Sequence, residues 1–467
     1  MPAGNTDATY SEVVAAGLPP ASPPPFDFDG VVSYTPARRV MAPVHVPGDD
    51  DGDDKDANGS AMDSSRIPSR PAMGLQRAES MSGNVLAVLN KDGDNNSNGA
   101  DPERAYWIQR KIGQLTHGSV RIGYVLHRRR RMKKEEVEEE EDSRAQWAVI
   151  PHNNIHAPNA STAYVMVAIK MYDRSRMAHV SSVSAFASAN GCPPMVEIAA
   201  SQLLARHAPA PGSHHVLETV EVLADDRFVY HIVPYRDGGD LLSLVESRGG
   251  LLEETEARHV FKQLLKALGL FQSAGLCHRD LSMEHIMIHG GDCFLSGKGK
   301  CIRIPYGTDG EGIPDAEAGS TRRLISPQGQ CGQPQFMGPV MLANSQGFDA
   351  HATDLWSLGI VLFHMLFGSP PFVLANNDDP RFQAISTKGR LAELVARCQK
   401  LDNAAGGPTS HNGKISPPSD DAIDLLQNML MVDPKDRLSL REILAHPWVA
   451  SGDVKRLDSS QSGVMFN

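Results

Sequence analysis

"CHRDLSMEHIMI", residues 277–288, sets His278, Arg279 and Asp280 in a row just ahead of the apolar-rich stretch IMI, with His285 five positions after the aspartate. A carboxylate held in such a loop can orient a hydroxyl group and accept its proton. The imidazole of His285 can ligate a metal, but it suits zinc or copper better than magnesium, which prefers oxygen. What this stretch does depends on what the rest of the chain builds around it.

The bulk properties narrow the classes. With 467 residues the chain can hold two or three average domains, or one large domain with extensions, and 41% hydrophobic residues suffice for a substantial core. A formal charge of −11 and a pI near 5.9 argue against a general nucleic-acid binder. The N-terminus, MPAGNTDATYSEVVAAGLPP, lacks the basic start and apolar run of a secretory signal. The longest apolar stretch, LGIVLFHMLFG, is shorter than a bilayer needs and carries His364, so no membrane span is expected. Cys192, Cys277, Cys293, Cys301, Cys331 and Cys398 are scattered without a C-x-x-C pair. They read as reduced thiols of an intracellular protein, cytoplasmic or nuclear, rather than as a zinc site or a disulfide framework.

Residues 1–103 contain PPASPPP, DDDGDDKD and KDGDNNSNGAD, and are expected to form a disordered acidic, proline-rich tail that the fold can spare. Order is expected to begin near AYWIQRKIG, followed by strand-like runs at SVRIGYVLH and AYVMVAIKMY. Between them HRRRRMKKEEVEEEEDSRAQ, part of a charged insertion over about 127–160, reads as a solvated helix with Arg/Lys–Glu pairs or as a basic nuclear-localisation or nucleic-acid patch. Beyond Gly239 the pattern turns helical. EETEARHVFKQLLKALGLFQSAG sets Val260, Phe261, Leu264, Leu265 and Leu268 on one stripe, and DLWSLGIVLFHMLFG predicts a buried helix. Two further helices are predicted in DAIDLLQNMLMV and SLREILAHPWV, and residues 451–467 as a short tail.

From about Tyr106 to Val449 the ordered series of motifs resembles a eukaryotic protein kinase of the Ser/Thr type. The resemblance implies an α+β, two-lobed fold over residues 104–450, with a small β-rich N-lobe and a larger helical C-lobe. IGQLTHGSV is similar to the glycine-rich loop: Gly113, Gly118 and Val120 match, while Leu115 replaces the middle glycine. VAIK supplies Ala168 and Lys170, the lysine that pairs with nucleotide phosphates and with a helix glutamate. Glu197 in PPMVEIAASQLLARH is the only acid between Asp173 and Glu218, which makes it the candidate partner. HIVPYRDGGDLLSLV resembles the segment joining the lobes. It implies Val233 as gatekeeper, Tyr235 and Arg236 at the adenine, and Asp240 near a ribose hydroxyl.

Asp280 stands at the catalytic position. Departures surround it: Ser282 replaces the catalytic-loop lysine, and His285 replaces the metal-binding asparagine. The D-F-G position falls on Gly297-Lys298-Gly299 by spacing, or on Pro305-Tyr306-Gly307. Either register removes the metal-binding aspartate, and Lys298 is a candidate substitute cation. Gln333 stands for the activation-segment threonine, and Val340 for the glutamate that pairs with Arg437, leaving that arginine to find another anion or water. Asp354 is expected to brace the catalytic loop.

ATP is thus the candidate nucleotide, and magnesium binding by the usual ligands is not expected. The losses point to a pseudokinase acting as a signalling scaffold or regulatory module with protein partners. The alternative is an active ATP-dependent Ser/Thr kinase with atypical metal use.

Overall fold

Alternating apolar side chains make strands of the first part of the chain, and some begin well before the expected start. The computed structural model describes residues 33–45, 81–88, 104–128, 147–152, 163–178, 194–208, 215–307, 313–315, 320–404, 417–434, 436–450 and 452–458. These fall into two compact units. One comprises Tyr34–Arg176 and Val220–Tyr235, the other Met177–Thr219 and Arg236–Asn467 together with Ser33.

The first unit is built from β1 (Thr35–His45), β2 (Met81–Val88), β3 (Arg104–Leu115), β4 (Gly118–Arg128), β5 (Trp147–Val149), the short pair β6 (Pro151–His152) and β7 (Ala163–Tyr164), and β8 (Met166–Asp173), which runs into α1 (Arg174–Ala178). It is completed by β9 (Glu221–Ala224) and β10 (Phe228–Pro234). Hydrogen-bonded neighbours follow the cyclic order β2–β3–β4–β8–β10–β9–β1 and return to β2, so the sheet closes on itself as a barrel. Strand β5 lies against β4 and β1 at one end. Leu86, Tyr106, Ile108, Val167, Ile169, Tyr230 and Ile232 fill the interior. Trp107, Tyr124, Leu126, Trp147 and Val149 form a second apolar cluster.

Two expectations are corrected here. Residues 1–103 are not a tail throughout, because β1 and β2 lie within them and bury Ala37, Val44, Val85 and Leu86. Their burial comes from long-range pairing, which compensates for a composition that looks unable to fold. The charged insertion is also narrower than 127–160. His127 and Arg128 continue β4, and the buried WAV of β5 belongs to the sheet. The charged run 129–146 lies outside the described residues, as do the PPASPPP and DDDGDDKD tracts.

The second unit holds α2 (Pro194–His207), α3 (Leu241–Ser247), α4 (Glu254–Ser273), α5 (Pro339–Ala343), α6 (Ala350–Phe367), α7 (Pro380–Phe382), α8 (Leu391–Ala404), α9 (Asp420–Met429), α10 (Leu440–Ala445) and α11 (Pro447–Ala450). Short strands β11 (Leu276–Cys277), β12 (Ile286–His289), β13 (Asp292–Leu295), β14 (Ile302–Arg303), β15 (Tyr306–Gly307), β16 (Ile313–Asp315) and β17 (Ser320–Arg322) form β11–β14, β12–β13 and β15–β17–β16 sheets.

Val260, Phe261, Leu264, Leu265 and Leu268 of α4 are all buried, so the apolar stripe faces the core. Helix α6 is long and apolar enough by composition to cross a membrane, yet 78% of it is buried inside the protein, as in a core helix. Part of the predicted C-terminal tail is also packed. Leu457 is buried, Arg456 pairs with Asp292, and Arg248 donates to the Asp458 carbonyl at 2.6 Å.

Candidate functional site

In the barrel unit, side chains directly paired across strands share a face. Lys170 pairs with Val120 on β4 and His231 on β10, and Ala168 pairs with Ile122 and Val233. Val120, Ala168, Lys170 and Val233 therefore stand together on the face opposite Val167 and Ile169, that is, outside the barrel core. Gly113 joins them through its pairing with Val120. Buried His231, beside Lys170 on this face, was not singled out by the sequence.

The β3–β4 tip is a two-residue turn at Thr116-His117, tied by the Gln114 amide to the carbonyls of Leu115 at 3.0 Å and Gly118 at 2.7 Å. A Cβ at Gly118 would fall 1.8 Å from the Met171 carbonyl oxygen, so close strand packing already demands that glycine. At Gly113 a Cβ would meet Val120 only at 3.5 Å, an ordinary contact, so packing does not account for that one. The Tyr235 amide leans on the Met166 carbonyl at 3.4 Å.

In the helical unit, two other candidates have structural work. The Arg236 guanidinium lies 3.9 Å from the centre of the Phe294 ring, and burial lowers its pKa. Asp240 caps α3, accepting from the Ser243 amide at 2.8 Å.

The catalytic-type loop is held from below. Buried Asp354 on α6 accepts from the amides of His278 at 2.7 Å and Arg279 at 2.9 Å. Arg279 is thereby kept at φ 64°, an unusual conformation for a side-chain-bearing residue. Burial pushes the Asp354 carboxyl up to about 6. His278 donates from Nε2 to the Ser296 carbonyl at 2.7 Å while its Nδ1 accepts from the Asp280 amide at 3.3 Å. Burial drives its pKa down to about 3, so the ring stays neutral. Burial raises the Asp280 carboxyl, and His285 opposes that shift.

His285 closes the 3-10 turn Met283–His285, and its Nδ1 donates to the Asp280 carbonyl at 2.7 Å. The Ser296 amide returns to the His285 carbonyl at 2.7 Å, which draws Gly297 against the imidazole. A Cβ at residue 297 would lie 2.4 Å from Cγ of His285 and 2.7 Å from its Nδ1. Gly297 also sits at φ 72°. The structure thus brings Gly297 to the metal-asparagine position, whereas Tyr306 and Gly307 belong to the separate β15–β17 sheet. Between the two registers, geometry selects Gly297-Lys298-Gly299.

Lys298, the candidate substitute cation, is tied to the main chain. It is 1% exposed, and its Nζ donates to the Leu217 carbonyl at 2.8 Å. The ammonium is held inside the unit, in the turn Lys298–Lys300 that packs against α2. Buried Ser282 cannot replace the missing lysine, and among the described residues its hydroxyl makes no hydrogen bond. Arg437 is anchored on main-chain carbonyls. Its guanidinium donates to the carbonyls of Met431 (2.9 and 2.8 Å), Val432 (3.1 Å) and Ala352 (3.1 Å), and lies over Trp356. Gln333 accepts from Gln335 at 3.0 Å, while the neighbouring Gly332 lies against Asp280.

Magnesium prefers oxygen ligands. His285 offers nitrogen, Gly297 offers no side chain, and a ring fills the space between them. Among the described residues no cluster of three or more His, Cys, Asp or Glu is placed to hold a metal ion.

The family model described as "protein kinase domain" matches residues 166–449, more than half the chain. The chain belongs to the protein kinase family. It has that family's two-lobed α+β fold, with Ser/Thr kinases among its relatives. It is similar to CBL-interacting serine/threonine-protein kinase 16 of Arabidopsis thaliana, 32% identical over 54% of this chain and 46% of the relative. It also resembles CBL-interacting protein kinase 20 of Oryza sativa subsp. japonica, 28% identical over 57% of this chain and 49% of the relative. Human ribosomal protein S6 kinase alpha-2 is 30% identical over 54% of this chain and 30% of the relative. The chain spans less than half the length of each of these relatives. Lys170 and Glu197, which the kinase pattern would pair, belong to different units.

Proposed function

We propose that this protein is a pseudokinase: a kinase-fold scaffold or regulatory module, working with protein partners inside the cell, in which phosphoryl transfer is impaired. One observation carries the reading. The His285 ring fills the place of the metal-binding aspartate side chain, so two ligand positions are lost together to a single packed contact. Kinase chemistry depends on metal to offset the developing charge, and several kcal/mol of that stabilisation has no replacement here.

Weak ATP binding with little dependence on magnesium is part of the proposal. Lys170 would meet phosphates, Val120, Ala168 and Val233 would flank the base, and Gly113 and Gly118 would give the hairpin its approach. The roles of Tyr235, Arg236 and Asp240 would be confined to main-chain groups and structure, since Arg236 and Asp240 already have packing or capping partners.

A second reading, an active Ser/Thr kinase with atypical metal use, is favoured by the intact frame around Asp280, which Asp354 braces. A phosphotransfer assay on a generic Ser/Thr peptide separates the two. The pseudokinase reading expects no turnover above that of an Asp280→Asn variant. Ready turnover that Asp280→Asn abolishes would establish the alternative.

A further inference from the structure

The kinase-family match begins at residue 166 and so contains only β8, β9 and β10 of the barrel. The remaining staves lie before it, and two of them, β1 and β2, bridge the gap between β3 and β9. Without β1 and β2, the outer edges of β3 and β9 would present unpaired main-chain groups.

The bridging strands are fitted to that gap by side chains as well as by hydrogen bonds. Leu86 of β2 is fully buried and Ala37 of β1 is nearly so, within the cluster that contains Tyr106, Leu223 and Tyr230. Arg39 of β1 donates to the Tyr230 hydroxyl at 2.8 Å and lies 5.0 Å from the centre of the Phe228 ring. The Tyr230 hydroxyl in turn donates to Asp225 at 2.5 Å.

The same N-terminal segment makes a second attachment. The Ser33 amide donates to the Gln202 side chain at 2.9 Å, and the Gln202 amide donates back to the Ser33 carbonyl at 2.9 Å. Gln202 lies on α2, five residues after Glu197.

We infer that strands β1 and β2 are a built-in binding partner of the kinase fold. They add two strands to the edges of β3 and β9, as a separate peptide does in strand addition, and Ser33, just ahead of β1, pairs with Gln202 of α2. The segment is then the handle by which this protein is regulated. Displacing the two strands opens the barrel beside the face that carries Lys170. This holds whether or not the protein transfers phosphate.

Hydrogen–deuterium exchange on the full chain tests both attachments. Leu86→Asp is expected to speed exchange in β3 and β9 about tenfold or more while α4 and α6 keep their protection. If that variant loses protection everywhere, Leu86→Ala is read in the same way, with a smaller increase confined to the barrel. Gln202→Ala is expected to speed exchange of α2 roughly threefold and leave the barrel strands unchanged. Unchanged β3 and β9 in the Leu86 variants, or unchanged α2 in Gln202→Ala, would overturn the inference.

Discussion

The imidazole of His285 stands where a side chain at residue 297 would have to go, 2.4 Å from the position of its Cβ. Gly297 and His285 are therefore one coupled replacement. Gly297→Asp alone should cost about 3 kcal/mol, because the ring must be displaced. The positive φ of residue 297 is a conformation that aspartate tolerates, so the backbone is the smaller obstacle. In a His285→Asn background the same change should cost less, with a coupling of about 1–2 kcal/mol in chemical denaturation. Additive costs would show that the ring does not hold residue 297 empty.

Lys298 provides a second test, because its ammonium is buried on the Leu217 carbonyl. Lys298→Ala should destabilise by about 2–4 kcal/mol through a cavity and an orphaned carbonyl. Nucleotide affinity by calorimetry should stay within about twofold. A large loss of affinity with little loss of stability would return Lys298 to the role of a substitute cation.

His278 gives a pH signature. Its pKa is lowered to about 3, so between that value and the ordinary 6.5 the unfolded chain binds the proton that the folded chain refuses. Its contribution is complete above 6.5 and is lost as pH falls towards 3, a total of about 4–5 kcal/mol. Asp354, raised to about 6, has the opposite sign, since its folded form holds the extra proton and loses stability as pH rises from about 4 to 6. The two oppose each other over that window. The stability difference between the native protein and His278→Gln should therefore shrink steadily on acidification from pH 6.5. A difference independent of pH would contradict the buried neutral ring.

In the segment leading to α6, Arg322 donates to both carboxylate oxygens of Asp349, at 3.1 and 2.9 Å, and holds that carboxyl down at about 2. Arg322→Met should cost about 3–5 kcal/mol, because it strands a buried charge. Asp349→Asn combined with Arg322→Met should recover part of that loss in thermal denaturation. Failure of the second change to recover any stability would show that the pair is not what matters there.

The helical unit was legible because its signals are local. The stripe of α4 and the apolar helix α6 declare themselves at helical spacing, and the HRD triplet with Asp354 fixes the loop. The barrel was legible only in part, since the runs that become β4 and β8 read as strands whereas β1 and β2 did not. TPARRVMAPVH of β1 mixes prolines and arginines with small apolar residues, and only its pairing with β2 and β9 makes a strand of it. Likewise nothing in GKGK distinguishes a buried lysine from one facing a phosphate, since the answer is the carbonyl of Leu217, far away in sequence. The backbone carbonyls that the turn before Arg437 gathers around its guanidinium likewise leave no mark in composition.

The most direct test is the affinity of the unmodified protein for ATP, measured by calorimetry with magnesium and again with a chelator. With nitrogen at His285 and no side chain at Gly297, the ion gains little from the protein, and the two dissociation constants should agree within about threefold. The double variant His285→Asn, Gly297→Asp should open a gap between them. A tight, strongly magnesium-dependent affinity in the unmodified protein would contradict the account.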